Sequence, residues 1–120
     1  AAQAIFDEVD EARGEKLSSL IWEGDIAELT LTQNAQPALM ATSMAAMRAL
    51  EAESASISKA AYVAGHSLGE YSALAAAGAL SVADTARLLR TRGQAMQSAV
   101  PVGEGAMAAI LGLDLEALQT

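Results

Sequence analysis

With 120 residues and a formal charge of −8, the chain has the length of one domain and the wrong balance for nucleic acid, whose phosphates demand clustered lysine and arginine. It holds no cysteine and one histidine, which excludes disulfides, thiolate metal sites and all-histidine metal sites. Apolar stretches such as Ala73 to Leu80 fall well short of the roughly 20 residues that span a bilayer, and nothing resembles a charged-then-apolar secretion signal, so a cytoplasmic protein without a membrane partner is the expectation.

Half of the residues are apolar but only 3% are aromatic, a composition suited to close helix packing. Charge is uneven: Ala1 to Thr30 carries eight acids against Arg13 and Lys16, whereas Thr85 to Thr91 carries Arg87 and Arg90 with no acid, and Arg92 follows. An anionic ligand would be met by these local arginines and not by the field of the whole molecule.

In chain order, Ile5, Phe6, Val9 and Ala12 recur at helical spacing between Gln3 and Ala12, and Gly14 is the expected break. Leu17, Leu20, Ile21 and Trp22 predict a short helix stopped by Gly24, after which Asp25 can cap a further turn through Leu29. Gln33-Asn-Ala-Gln-Pro37 opens a long helix with Pro37 at its first position, where the missing N–H costs nothing. Its body, Ala38 to Leu50, is apolar almost all round and is predicted to be buried. Ser54 to Ser58 reads as a loop. Ala61 to Ala64 is a predicted strand of the buried parallel kind, followed by a helix from Ser67 or Leu68 to about Ala77 with Gly78 as its stop. Ser81-Val-Ala-Asp84 is a capping-box pattern with aspartate in place of glutamate, and starts a helix to about Ala99 that Pro101 ends. Ala106 to Leu111 is a second predicted strand, and Asp114 can cap a last helix. Met40, Met44, Met47 and Met96 fall at helical spacing, as core filler does.

The chemistry concentrates at Gly65-His-Ser-Leu-Gly69. A Gly-x-Ser-x-Gly turn between strand and helix sets its serine, Ser67, on a sharp corner with the hydroxyl exposed, and Gly65 and Gly69 remove side chains that would collide there. Ser67 is then at a helix N-terminus, where the Leu68 N–H can donate to a tetrahedral oxyanion. A serine also needs a general base. His66 directly precedes Ser67, so the two side chains diverge; it is read as a residue that shapes the elbow, and the base must lie outside the chain, or the chain is inactive alone.

On the last long helix Arg87 and Arg90 share a face and read as surface charges. Arg92 lies about 140° and 160° from them, on the stripe of Leu88, Leu89 and Met96. An arginine there needs a negative partner: a carboxylate of this protein, or the carboxylate of a ligand held by the guanidinium fork. Gln36 either orients a substrate carbonyl or caps backbone groups.

Taken together, Gln36-Pro-Ala-Leu39, Gly65-His-Ser-Leu-Gly-Glu-Tyr-Ser-Ala73, Arg92-Gly93 with Met96-Gln97, and Gly105-Ala-Met-Ala-Ala-Ile110 resemble the malonyl-CoA:acyl carrier protein transacylases of fatty-acid synthesis and the acyltransferase domains of polyketide synthases. The resemblance implies that Ser67 is the nucleophile, acylated by malonyl-CoA and then relieved by the phosphopantetheine thiol of acyl carrier protein. It implies that Arg92 binds the free malonyl carboxylate, that Gln36 lines the acyl site, and that the Leu68 N–H forms half of the oxyanion hole. Leu68, where methylmalonyl-using relatives tend to carry glutamine, favours malonyl. No bound cofactor and no metal are implied; malonyl-CoA is a substrate.

The resemblance also sets the expected fold: an α/β chain, the helix-rich front part of an α/β-hydrolase-like large subdomain over residues 1–101, with the start of a ferredoxin-like small subdomain over 102–120. The family's Gly-Gln-Gly-Ser-Gln loop and its histidine-bearing C-terminal region are absent, so the chain reads as a fragment without turnover of its own. Two other readings stand beside this one: a serine thioesterase or esterase built on the same elbow, and a helical scaffold in which Ser67 is inert.

Overall fold

Among residues 1–53, 59–114 and 116–118, which the computed structural model describes, the regular structure is helical: α1 (Ala2–Arg13), α2 (Leu17–Glu23), α3 (Ile26–Leu29), α4 (Thr32–Ala52), α5 (Gly69–Ala76) and α6 (Val82–Ala99). None of these helices is long and apolar enough to cross a membrane. The predicted loop Ser54 to Ser58 lies outside the described residues.

The first three helices follow the sequence pattern. Ile5, Phe6 and Val9 turn one face of α1 into the core while Asp7, Glu8 and Glu11 face outward, and Gly14, at φ 67°, ends the helix. Asp10 is buried with a purpose: its carboxylate accepts from the backbone N–H of Ser18 at 2.9 Å and from the Ser18 hydroxyl at 2.5 Å. A side chain of α1 therefore caps the opening turn of α2, where backbone donors have no partner of their own. Asp25 caps α3 by accepting from the Ala27 N–H at 2.8 Å.

The long helix departs from expectation at both its start and its surroundings. It begins at Thr32, and Pro37 stands inside it. Proline has no N–H, so the Gln33 carbonyl loses its donor four residues on. Arg90 of α6 replaces it, donating from Nη1 to the Gln33 carbonyl at 3.3 Å and to Asn34 Oδ1 at 2.8 Å. Only one face of α4 is buried, through Pro37, Met40, Ala41, Met44 and Ala45; Leu39 and Leu50 stay more than half exposed. That face packs chiefly against α1 and α6. Ala41 on α4 and Ala86 on α6 are fully buried and share one core cluster with the large side chains Leu17, Met40, Met44 and Leu89. Each such large side chain contributes on the order of 2 kcal/mol by burial.

At Gly93, α6 lies directly against the backbone of α4. A Cβ there would stand 2.5 Å from Cα of Gln33 and 2.8 Å from the Thr32 carbonyl oxygen, so only glycine fits. The crossing brings the first turns of α4 against the C-terminal half of α6, and the two helices become the frame of the site.

The α/β expectation is corrected for the described residues. Ala61 to Ala64 and Ala106 to Leu111 form no strand; both lack regular structure and are exposed, with Tyr62 at 92% and Met107 at 89%. A strand exists through its ladder, and a segment with no neighbouring segment to exchange N–H and C=O bonds is not one. Asp114 does accept from the Ala117 N–H at 3.0 Å, but residues 116–118 form a turn and not a helix.

Candidate active site

The segment entering α5 makes the corner that the glycines predict. Gly69 donates its N–H to the His66 carbonyl at 2.9 Å, which closes a tight turn around Ser67 and Leu68. Ser67 sits at φ 54°, the one positive φ on a non-glycine among the described residues. That conformation crowds the Cβ of an L-residue and persists only where surrounding structure enforces it. The reason for Gly65 is direct: a Cβ on it would stand 1.9 Å from the carbonyl carbon and oxygen of Gly69. A Cβ on Gly69 would meet nothing within 4 Å. Gly69 thus contributes the backbone that Gly65 touches, and not, among the described residues, an avoided collision of its own.

Three of the sequence-predicted residues meet in one hydrogen-bonded chain. Arg92 Nη2 donates to Ser67 Oγ at 3.2 Å, and Arg92 Nη1 donates to Gln36 Oε1 at 2.5 Å. Its guanidinium carbon also lies 5.8 Å from the centre of the Tyr71 ring, within cation–π range. Among the described residues no carboxylate pairs with Arg92; its hydrogen-bond partners are all neutral. Gln36, 3% exposed, caps no helix end. Its Nε2 donates to Thr32 Oγ1 at 2.7 Å and to Met96 Sδ at 3.3 Å, leaving Oε1 for the arginine.

Met96 is accordingly a neighbour of the site and not core filler; it is 37% exposed. Thr32 was invisible to motif reading, although one signal was available: it stands four residues before Gln36, on the same helical face. Ser67 is exposed, Arg92 is half-buried, and the N–H groups of Ser67 and Leu68 donate to no described residue. Both groups stand at the N-terminal end of α5, where the helix dipole favours negative charge.

His66 is exposed and contributes its carbonyl to the turn, and among the described residues no histidine or carboxylate hydrogen-bonds to Ser67, whose hydroxyl partner is Arg92. The described residues hold no group of three or more histidine, cysteine, aspartate or glutamate side chains set to bind a metal ion. Of the other arginines, Arg87 is a surface charge paired with Asp84 at 2.9 Å. Arg90 is not; it is half-buried and joins Glu15 (3.2 Å), Asn34 and the Gln33 carbonyl. Beside it the Arg13 side chain is 2% exposed, pairs with Glu15 at 2.9 Å and leaves Nε and Nη1 unpartnered. Burial, and then the charge of Arg90, lowers the pKa of Arg13 against the opposing pull of Glu15 and Asp10. This second cluster braces α1 to α4 and α6 away from Ser67.

The site is thus an exposed serine on a tight turn, hydrogen-bonded to a guanidinium that has no carboxylate partner among the described residues. Residues 1–119 match the family model described as the acyl transferase domain, and the chain belongs to that family. It is 58% identical over 119 residues to the malonyl CoA-acyl carrier protein transacylase of Bacillus subtilis (strain 168), covering 99% of this chain and 37% of that protein. It is 48% identical to the protein of the same name from Escherichia coli (strain K12), over 93% of this chain and 36% of the other. Among solved structures, the acyl-carrier-protein-S-malonyltransferase of Bartonella henselae superposes with a TM-score of 0.89 at 60% identity, over 98% of this chain and 38% of that one. The chain therefore spans under two fifths of the length of the relatives it matches.

Proposed function

We propose that the chain is the front part of a malonyl-CoA:acyl carrier protein transacylase of fatty-acid synthesis, acting in the cytoplasm. Residues 1–101 belong, in this reading, to an α/β-hydrolase-like large subdomain whose strands are completed by neighbouring segments, and 102–120 open a ferredoxin-like small one. The observation that carries the reading is the 3.2 Å contact between Arg92 Nη2 and Ser67 Oγ, made by an arginine with no carboxylate partner among the described residues.

Ser67 Oγ attacks the thioester carbonyl of malonyl-CoA, and its proton passes to a base outside the described residues. The Leu68 N–H stabilises the oxyanion; collapse breaks the C–S bond, and coenzyme A leaves as the thiol after taking back a proton. The phosphopantetheine thiol of acyl carrier protein then attacks the malonyl-serine ester, releasing the Ser67 hydroxyl and the malonyl thioester. Arg92 grips the distal carboxylate through both steps, a role for which the planar fork is suited, and Gln36 holds the fork. The partners are thus malonyl-CoA and acyl carrier protein, with no bound cofactor required.

The test is intact mass and peptide mapping of the full-length protein after incubation with malonyl-CoA. The expected result is one malonyl ester on Ser67, discharged by added holo acyl carrier protein. An unmodified Ser67 would instead favour the inert scaffold, and discharge to water at the same rate without carrier protein would favour a thioesterase.

A further inference from the structure

We infer that Thr32 is a positioning residue for acyl-group selection, acting through Gln36 to aim the guanidinium of Arg92; the inference rests on the function proposed above. Two pairs with the same spacing face each other across the α4–α6 crossing. Thr32 and Gln36 are one turn apart on α4, Arg92 and Met96 one turn apart on α6, and the contact of Gly93 with the backbone of Thr32 and Gln33 sets them opposite.

The chemistry of the four groups allows one arrangement. A guanidinium only donates, so the Gln36 amide must offer its oxygen to Arg92. The amide nitrogen then has to donate elsewhere, and it finds Thr32 Oγ1 at 2.7 Å and Met96 Sδ at 3.3 Å. Sulfur is a weak acceptor, so the threonine hydroxyl is the stronger determinant. Turning the amide over would set its NH₂ against the guanidinium, donor to donor, in a place where Gln36 is only 3% exposed. Thr32 thereby fixes which face of Gln36 meets Arg92, and with it the direction of the second guanidinium nitrogen, which reaches Ser67.

The test uses the full-length protein and follows Ser67 acylation by malonyl-CoA and, separately, acetyl-CoA. Thr32→Val keeps shape and removes the hydroxyl. It is expected to raise KM for malonyl-CoA roughly three- to tenfold, the range of one lost hydrogen bond, with kcat within about twofold and acetyl-CoA unaffected. Thr32→Ser restores the malonyl KM, and Thr32→Ala repeats the loss should the valine variant fold poorly. In a Gln36→Met background, Thr32→Val has no further effect, because its route to Arg92 is gone. An unchanged malonyl KM in both Thr32→Val and Thr32→Ala, or equal loss for malonyl-CoA and acetyl-CoA, overturns the positioning role while leaving the proposed function intact. A wild-type protein that forms no malonyl-serine removes the function itself, and the inference with it.

Discussion

Gly93 of α6 lies directly on the backbone of Gln33 in α4, so close that a methyl group would stand 2.5 Å from Cα of Gln33. The obstacle is backbone and cannot swing aside. Gly93→Ala must therefore separate the two helices that carry Gln36 and Arg92. The expected cost is about 1–3 kcal/mol, the usual range for overpacking, seen as a lower urea midpoint with an unchanged slope. A midpoint equal to wild type would show that the crossing is looser than these distances state.

The strain at Ser67 has its own signature. At φ 54° glycine is at ease, whereas any L-residue is crowded by roughly 1 kcal/mol. Ser67→Gly and Ser67→Ala both abolish acylation, but the glycine variant is expected to melt higher than the alanine variant, by a few degrees. Equal melting temperatures would mean that the corner stores no strain.

Arg13 is a cost that the fold carries. Its side chain is 2% exposed with two nitrogens unpartnered, and Arg90 stands nearby. Because burial holds its pKa below the ordinary arginine range, protonation favours the unfolded chain, and the penalty is present at every pH below that lowered value. Arg13→Met keeps length and apolar contact, and gives up an exposed partner, Glu15, worth little, and the 3.3 Å hydrogen bond from Arg13 Nη2 to Asn34 Oδ1. A gain of about 1 kcal/mol in chemical denaturation is expected, and a loss of similar size would show that the Asn34 and Glu15 contacts outweigh the burial.

Motif and spacing made much of the site legible. The positions of Ser67, Gly65 and Arg92 followed from the elbow pattern and from an arginine out of step with Arg87 and Arg90, and these residues do lie together. Helix starts at Asp25 and Ser81 were readable because capping is local chemistry; the Ser81 hydroxyl accepts from the Asp84 N–H at 3.0 Å. What failed was non-local. Pro37 reads as a helix start unless a donor from elsewhere satisfies Gln33, and Arg90, 57 positions on, is that donor. For the same reason Arg90 read as a surface charge. Ala61 to Ala64 reads as a strand from its apolar content, yet the ladder that makes a strand belongs to whichever segment pairs with it. Thr32 carries no motif and gains meaning only when Gln36 and Arg92 are seen in contact.

The most direct test of the central claim, that Arg92 selects an acyl group by its carboxylate, is a competition in the full-length protein between malonyl-CoA and acetyl-CoA for Ser67, read by mass spectrometry. Arg92→Ala is expected to lower malonyl transfer at least about a hundredfold, the scale of losing a bidentate charged contact, while acetyl transfer is spared or improved. Equal loss of both acyl groups would contradict the account, leaving Arg92 as a brace for the elbow and the carboxylate without its partner.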